Sequence, residues 1–156
     1  MARNFLGIDH GDRRIGLSYG DELGIAVPVT AAVEPTEAER VEHLAKEIAR
    51  RKITDLVVGY PLNMDGTVGP RAEIVDGFIA LLEEKFPGLT VHRVDEGLSS
   101  VAAEATFSSK QKGRNNRERQ KHRATGELDS RAAAVILQDF LNAQGFGMSA
   151  DWAEEI

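Results

Sequence analysis

The chain has 156 residues, a net charge of −6 and no cysteine. That length suits one domain whose core buries roughly 68–70% of the unfolded surface, so no covalent or metal staple is needed to hold it. The missing cysteines exclude disulfides, thiolate metal ligands and cysteine nucleophiles. The opening apolar run, Phe5 to Ile8, is too short for a secretory signal and is followed at once by charge. No run approaches the ~20 apolar residues of a membrane helix, so a cytoplasmic protein without a membrane partner is expected.

Phe5, Leu6 and Ile8 predict a first strand. Asp9 arrives as the apolar run ends, which puts its carboxylate at the mouth of a sheet. Gly11-Asp12 supplies turn chemistry. Ile15, Leu17 and Tyr19 then alternate with Gly16, Ser18 and Gly20, the period of two of a second strand. Ile25 to Thr30 predicts a third, and Pro28 confines it to an edge because proline donates no ladder hydrogen bond. Short turns join the three into an antiparallel meander.

The period then changes. Thr36-Glu37-Ala38-Glu39 has capping-box form, and Val41, Leu44, Ala45 and Ile48 fall on one helical face. Arg50, Arg51 and Lys52 close that helix where its dipole favours cations, which accounts for the triplet without nucleic acid. Asp55 to Gly59 reads as a strand buried on both faces of a parallel sheet. Tyr60 to Gly69 is a Pro-, Asn- and Gly-containing loop at its carboxyl end, where α/β sheets tend to bind ligands. Gly69-Pro70 opens a helix lined by Val75, Ile79, Leu82 and Phe86, and Pro87-Gly88 stops it. Leu89 to Val94 predicts a strand ending in Asp95-Glu96, and Ser99 or Ser100 could cap a short helix from Val101 to Phe107.

Residues 108–126 hold Lys110, Lys112, Arg114, Arg117, Arg119, Lys121 and Arg123 against Glu118 alone, a net +6 that leaves −12 on the rest. With no apolar residue between Phe107 and Ala124, the stretch cannot bury a core and reads as a mobile basic loop. A last helix is predicted from about Glu127 to Ala143, with Asp129 on the face of Ala132, Ala133, Ile136 and Phe140. Residues 145–156 form a tail without an assignable role, so the domain is expected to span 1–144.

Three strands followed by alternating helices and strands suit an α/β fold. Its mixed five-stranded sheet has order 3-2-1-4-5, the second strand antiparallel and helices on both faces. That topology can bring Asp9, Glu96 and Asp129 to one rim. Three clustered acids repel unless a cation sits among them, and oxygen ligands suit Mg²⁺ or Mn²⁺. Such ions can clamp a phosphodiester. Each acid also has a plainer reading: Asp9 as a turn residue, Glu96 as a solvated acid after a strand, Asp129 as a helix-terminal acid stabilised by the dipole. Gly59 and Gly97 would leave room for a phosphate backbone or merely serve a strand end and a turn. His10 could steer a water, but its position reads as an exposed turn histidine. His43, His92 and His122 read as surface residues, and no serine has an acid–His partner in triad spacing.

Gly7-Ile8-Asp9-His10-Gly11 with Arg14-Ile15-Gly16 resembles the opening of the YqgF-type family of pre-16S ribosomal RNA nucleases, also described as Holliday-junction-resolvase-like. Gly59-Tyr60-Pro61-Leu62-Asn63-Met64-Asp65-Gly66, continuing to Gly69-Pro70-Arg71-Ala72, is similar to its most specific signature. Asp95-Glu96-Gly97-Leu98-Ser99-Ser100 resembles its Asp-Glu-Arg-Leu-Thr-Thr, with Gly97 in place of the usual Arg. Asp129, Ala132-Ala133 and Ile136 to Leu141 resemble its last helix. The resemblance covers about residues 4–142. It implies an RNase H-like fold and Asp9, Glu96 and Asp129 as catalytic, Mg²⁺- or Mn²⁺-binding acids. The substrate it implies is a nucleic-acid phosphodiester, in precursor rRNA or branched DNA.

Beside such a site the basic stretch Lys110 to Arg123 acquires a use in phosphate contact, joined by Arg14 and Asn63 from the matched motifs. The stretch has no aromatic side chain to stack bases, so backbone contact rather than sequence readout is expected. Two further classes compete with the nuclease: a nucleic-acid-binding factor with little catalysis, for which Gly97 is the hint, and a phosphate- or ATP-binding module. The second usually needs two such domains, and this length allows one. Symmetric junction cleavage would favour a homodimer, but no dimer face is legible, so monomer and homodimer both stay open.

Overall fold

Eight elements follow one another along the chain: β1 (Asn4–His10), β2 (Ile15–Asp21), β3 (Val27–Ala32), α1 (Glu37–Arg51), β4 (Asp55–Tyr60), α2 (Pro70–Lys85), β5 (Thr90–Asp95) and α3 (Glu127–Ala143). They come from a computed structural model that describes residues 2–62, 65–95 and 126–146. Glu96, Gly97, the short helix expected at 101–107, Asn63, the basic residues from Lys110 to Arg123 and the tail from 147 lie outside the described residues.

The sheet has the expected order, β3-β2-β1-β4-β5. β1 pairs antiparallel with β2 and parallel with β4, β2 pairs antiparallel with β3, and β4 pairs parallel with β5. Strand alternation sorts the side chains. Leu6, Ile8, Ile15, Leu17, Leu56 and Val58 face α1 and α2, where Val41, Leu44, Val75, Phe78, Ile79 and Leu82 complete one core. Phe5 and Val57 face the other way, onto Ile136, Leu137, Phe140 and Leu141 of α3. The central strand therefore has an apolar layer on each side.

Local chemistry sets the helix ends. The Thr36 side chain accepts from the Glu39 backbone N–H at 3.2 Å and its hydroxyl contacts the Glu39 carboxylate at 3.0 Å, the expected capping box. Pro70 occupies the first turn of α2. At the far end of α1, Arg50 and Arg51 pair with Glu47, and the Arg51 guanidinium lies 5.1 Å from the Tyr19 ring centroid.

Two local expectations change. The third strand starts at Val27 rather than Ile25. Gln138 of α3 takes the backbone groups ahead of it: Ala26 N–H donates to Gln138 Oε1 at 3.0 Å, and Gln138 Nε2 donates to the Gly24 carbonyl at 2.7 Å. A side chain thus does locally what a ladder would have done. The histidines also differ from surface residues. His43 bonds Glu34 at 2.8 Å; His92 bonds the buried Asp55 at 2.8 Å and lies 4.7 Å from the Phe140 ring.

Candidate active site

The site is built where α3 crosses β2. The face of β2 beneath that helix carries Gly16, Ser18 and Gly20, and β1 adds Gly7. A methyl group at Gly7 would meet Leu137 Cβ at 2.8 Å and the Ala133 carbonyl at 2.9 Å, and one at Gly20 would meet Leu141 Cδ1 at 2.9 Å. At Gly16 it would overlap the backbone carbonyl of Asp129. The helix therefore lies on bare backbone at its first turn. Two buried serines fasten it: Ser18 Oγ donates to the Ala133 carbonyl at 2.8 Å, and Leu17 N–H donates to Ser130 Oγ at 3.3 Å.

Asp9 and Asp129 both border this seam. Asp9 shares the face of Phe5 and Gly7, the face covered by α3. Its ladder partner is Gly16, the residue on which the Asp129 backbone rests. Both side chains are half-buried, at the carboxyl end of β1 and the first turn of α3. The helix N-terminus favours a carboxylate there.

Arg14 joins them. Its Nε donates to Asp129 Oδ2 at 2.9 Å, with each side chain about one-third exposed (34% and 29%). Arg14 is thus placed at the rim, where a nucleic-acid contact is expected of it, and it is engaged with one of the two acids. The turn that carries it is closed by Gly11 N–H donating to the Arg14 carbonyl at 2.9 Å. Arg71, at the start of α2, clamps the same turn from the other side. Its terminal nitrogens donate to the His10 carbonyl at 2.7 Å and to Asp12 Oδ1 at 3.1 Å.

His10 is not the exposed turn residue expected. Its ring lies 4.2 Å from that of Phe78 on α2, on the face opposite Asp9. Burial holds its pKa below 6.5, and the Arg71 cation pushes in the same direction. At neutral pH it is an uncharged packing group that fixes the strand end carrying Asp9 rather than a residue aimed at a ligand beside Asp9. The loop at the end of β4 is pinned as well. Tyr60 Oη donates to Asp76 Oδ2 at 2.8 Å, and Leu62 bridges Val68.

Among the described residues no three carboxylates or histidines cluster. Asp9 and the backbone of Asp129 both adjoin Gly16. β5 runs parallel to β1 and β4 and pairs Asp95 with Tyr60 at the same rim. Glu96 follows directly in sequence but lies outside the described residues. Two half-buried carboxylates at the ends of packed elements, Asp129 with the Arg14 guanidinium against it, form a hard oxygen donor set suited to a divalent cation. In the sequence Arg71 reads only as part of a motif, and nothing local marks Ser18 or Ser130. The small-residue period of β2 is the one signal there for the seam they fasten.

The family model described as "RuvX: Holliday junction resolvase" matches residues 3–143. A curated relative from Opitutus terrae named "Putative pre-16S rRNA nuclease" is 52% identical over 137 residues, covering 88% of this chain and 90% of the relative. One of the same name from Anaeromyxobacter sp. (strain K) is 44% identical over 138 residues, covering 88% and 95%. Among solved structures, fowlpox virus resolvase with its substrate Holliday junction DNA aligns with a TM-score of 0.53 at 10% identity, covering 92% of this chain and 99% of that one. T. thermophilus RuvC in complex with Holliday junction substrate aligns with a TM-score of 0.51 at 16% identity, covering 91% and 95%. At those identities the two structures speak to the fold, which is RNase H-like. No helix among the described residues is long and apolar enough to cross a membrane. The chain belongs to the RuvX family of Holliday junction resolvases.

Proposed function

We propose that this chain is a divalent-metal-dependent endonuclease that hydrolyses phosphodiester bonds in structured nucleic acid in the cytoplasm. Its substrate is the 5′ region of precursor 16S rRNA, a four-way DNA junction, or both, and it works as a monomer or homodimer. The observation that carries the reading is that Gly16 pairs with Asp9 and also carries the Asp129 backbone. Family membership and the names of the relatives support nuclease chemistry.

Asp9, Asp129 and Glu96 would hold Mg²⁺ or Mn²⁺. When bound, such an ion supplies Lewis-acid activation of a phosphodiester and of an attacking water. The chain's own residues set the stage. β1 places Asp9 at the end of a strand packed on both faces, Gly16 lets the first turn of α3 lie against β2 beside it, and Arg71 bonds to the intervening turn. Arg14 supplies positive charge at the rim for a phosphate oxygen, with Asn63 and the segment from Lys110 to Arg123 extending that contact along the backbone. Residues 1–144 form the nuclease domain and 145–156 the tail that follows, with Phe146 still packed against the core, its ring 5.9 Å from that of Phe5.

The test is Asp9→Asn on a panel of four-way junction, duplex DNA, single-stranded DNA and precursor RNA, with Mn²⁺, Mg²⁺ or chelator. The variant should fold normally and lose metal-dependent cleavage. Undiminished cleavage would overturn the assignment. Binding that persists in chelator, with no cleavage by the unaltered chain, would identify a binding factor instead.

A further inference from the structure

The Arg14–Asp129 bond has a geometry that a plain surface ion pair lacks. Asp129 has little freedom left. Its backbone rests on Gly16, the next residue is tied to β2 through Ser130, and its helix begins at Gly126. Gly126 is itself in the left-handed region, where a methyl would meet Ala31 Cβ at 2.5 Å. What remains is rotation about its two side-chain bonds. Arg14 arrests that rotation through one contact, Nε to Oδ2 at 2.9 Å. The Arg14 side chain is in turn seated against Gly126, where an added methyl would lie 3.8 Å from Arg14 Cδ. Among the described residues, Asp129 Oδ1 and the two terminal nitrogens of Arg14 make no hydrogen bond.

We propose that Arg14 is a positioning residue for the cation site: it fixes Oδ2 of Asp129 so that Oδ1 is presented as a pre-oriented ligand. The inference rests on the metal-dependent reading given above. A partner that holds the second oxygen of a ligating carboxylate raises metal affinity by lowering the cost of ordering the ligand. Simple electrostatics makes the opposite prediction. A guanidinium beside a cation site repels the cation, so removing its charge should tighten binding.

The two signs can be separated with metal alone, without nucleic acid. Free Mn²⁺ is measured by electron paramagnetic resonance against the unaltered chain, Arg14→Met, Arg14→Lys, Asp129→Asn and the Arg14→Met/Asp129→Asn double variant. Met keeps the bulk of the side chain and offers Asp129 neither donor nor charge, whereas Gln would place its own N–H donors where Nε stands. Positioning predicts that Arg14→Met weakens Mn²⁺ binding about 10-fold, while Arg14→Lys, which keeps N–H donors and the charge, stays within about threefold of the parent. It also predicts that Arg14→Met adds little to the loss in Asp129→Asn, because Arg14 acts through that carboxylate. Mn²⁺ binding by Arg14→Met as tight as the parent's, or tighter, would overturn the proposal and leave the metal site standing. Absence of Mn²⁺ binding by the folded parent would remove both. Thermal melts check that each variant is folded, and Arg14→Ala, read in the same way, carries the test if Arg14→Met is not.

Discussion

Gly16→Ala adds a single methyl group at the seam between β2 and α3, and the structure says what that methyl meets. It would overlap the carbonyl carbon and oxygen of Asp129 and come within 2.8 Å of the Ser130 nitrogen. All three are backbone atoms, so no side chain can swing aside. The first turn of α3 has to lift by roughly an ångström, and overpacking of this kind costs about 1–3 kcal/mol, here at the upper end. Lifting the turn also stretches the Leu17 N–H to Ser130 Oγ bond, already 3.3 Å long, worth about 1 kcal/mol. Together the loss is about 3–4 kcal/mol, or roughly 6–16 °C in melting temperature for a domain of this size. The assay is equilibrium urea unfolding with Gly77→Ala as control. Gly77 lies inside α2 with open space around it, so that variant should hold or gain about 0.5–1 kcal/mol. At 25 °C, where folded Gly16→Ala still predominates, its Mn²⁺-dependent cleavage should fall while that of Gly77→Ala stays at the parent level. If Gly16→Ala unfolds at the same urea concentration as the parent, α3 does not rest on β2 at Asp129 and the site as described is wrong.

Asp55 is buried at the opposite end of the sheet, at the start of β4. Burial pushes its carboxyl up, but hydrogen bonds from Arg3 (3.0 Å), His92 (2.8 Å) and Thr54 (2.6 Å) outweigh it and hold the pKa below the usual 3.8. A depressed folded pKa contributes stability above the unfolded value and loses it as pH falls through the folded one. Asp55→Asn should therefore cost about 3 kcal/mol near pH 7, with the gap to the parent narrowing below about pH 4 in acid-dependent urea melts; a gap constant with pH would refute the ion-pair account. Replacing the basic residues from Lys110 to Arg123 with Gln should weaken duplex DNA binding and flatten its log–log salt dependence by about 0.9 for each phosphate no longer neutralised. An unchanged slope in a filter-binding titration would remove the segment from the interface.

What can be read from residues alone is whatever depends on neighbours close in sequence. Helix α3 falls at Glu127–Ala143 as expected because its apolar period is local, and the α1 cap forms as expected because Thr36 and Glu39 are three apart. Pro28 puts β3 on an edge for the same reason. The sheet order follows from connection rules. What is not legible depends on contacts across the fold. Arg14 and Asp129 are 115 positions apart, and nothing near either announces the bond. His92 reads as exposed on a strand until Asp55, 37 residues earlier, and Phe140 are brought to it. The start of β3 slips because Gln138 holds Gly24 and Ala26 from 112 to 114 residues away. The candidate acids stand out by their places at strand and helix ends and by family resemblance. That Gly16 lies between Asp9 and the Asp129 backbone emerges only with the packed helix.

The most direct measurement is anomalous diffraction from a crystal soaked in Mn²⁺. A peak is expected at the carboxyl rim of β1, within bonding distance of both the Asp9 and the Asp129 carboxylates. A peak bound to neither, or Asp9 and Asp129 carboxylates held too far apart to touch the same ion, would contradict it.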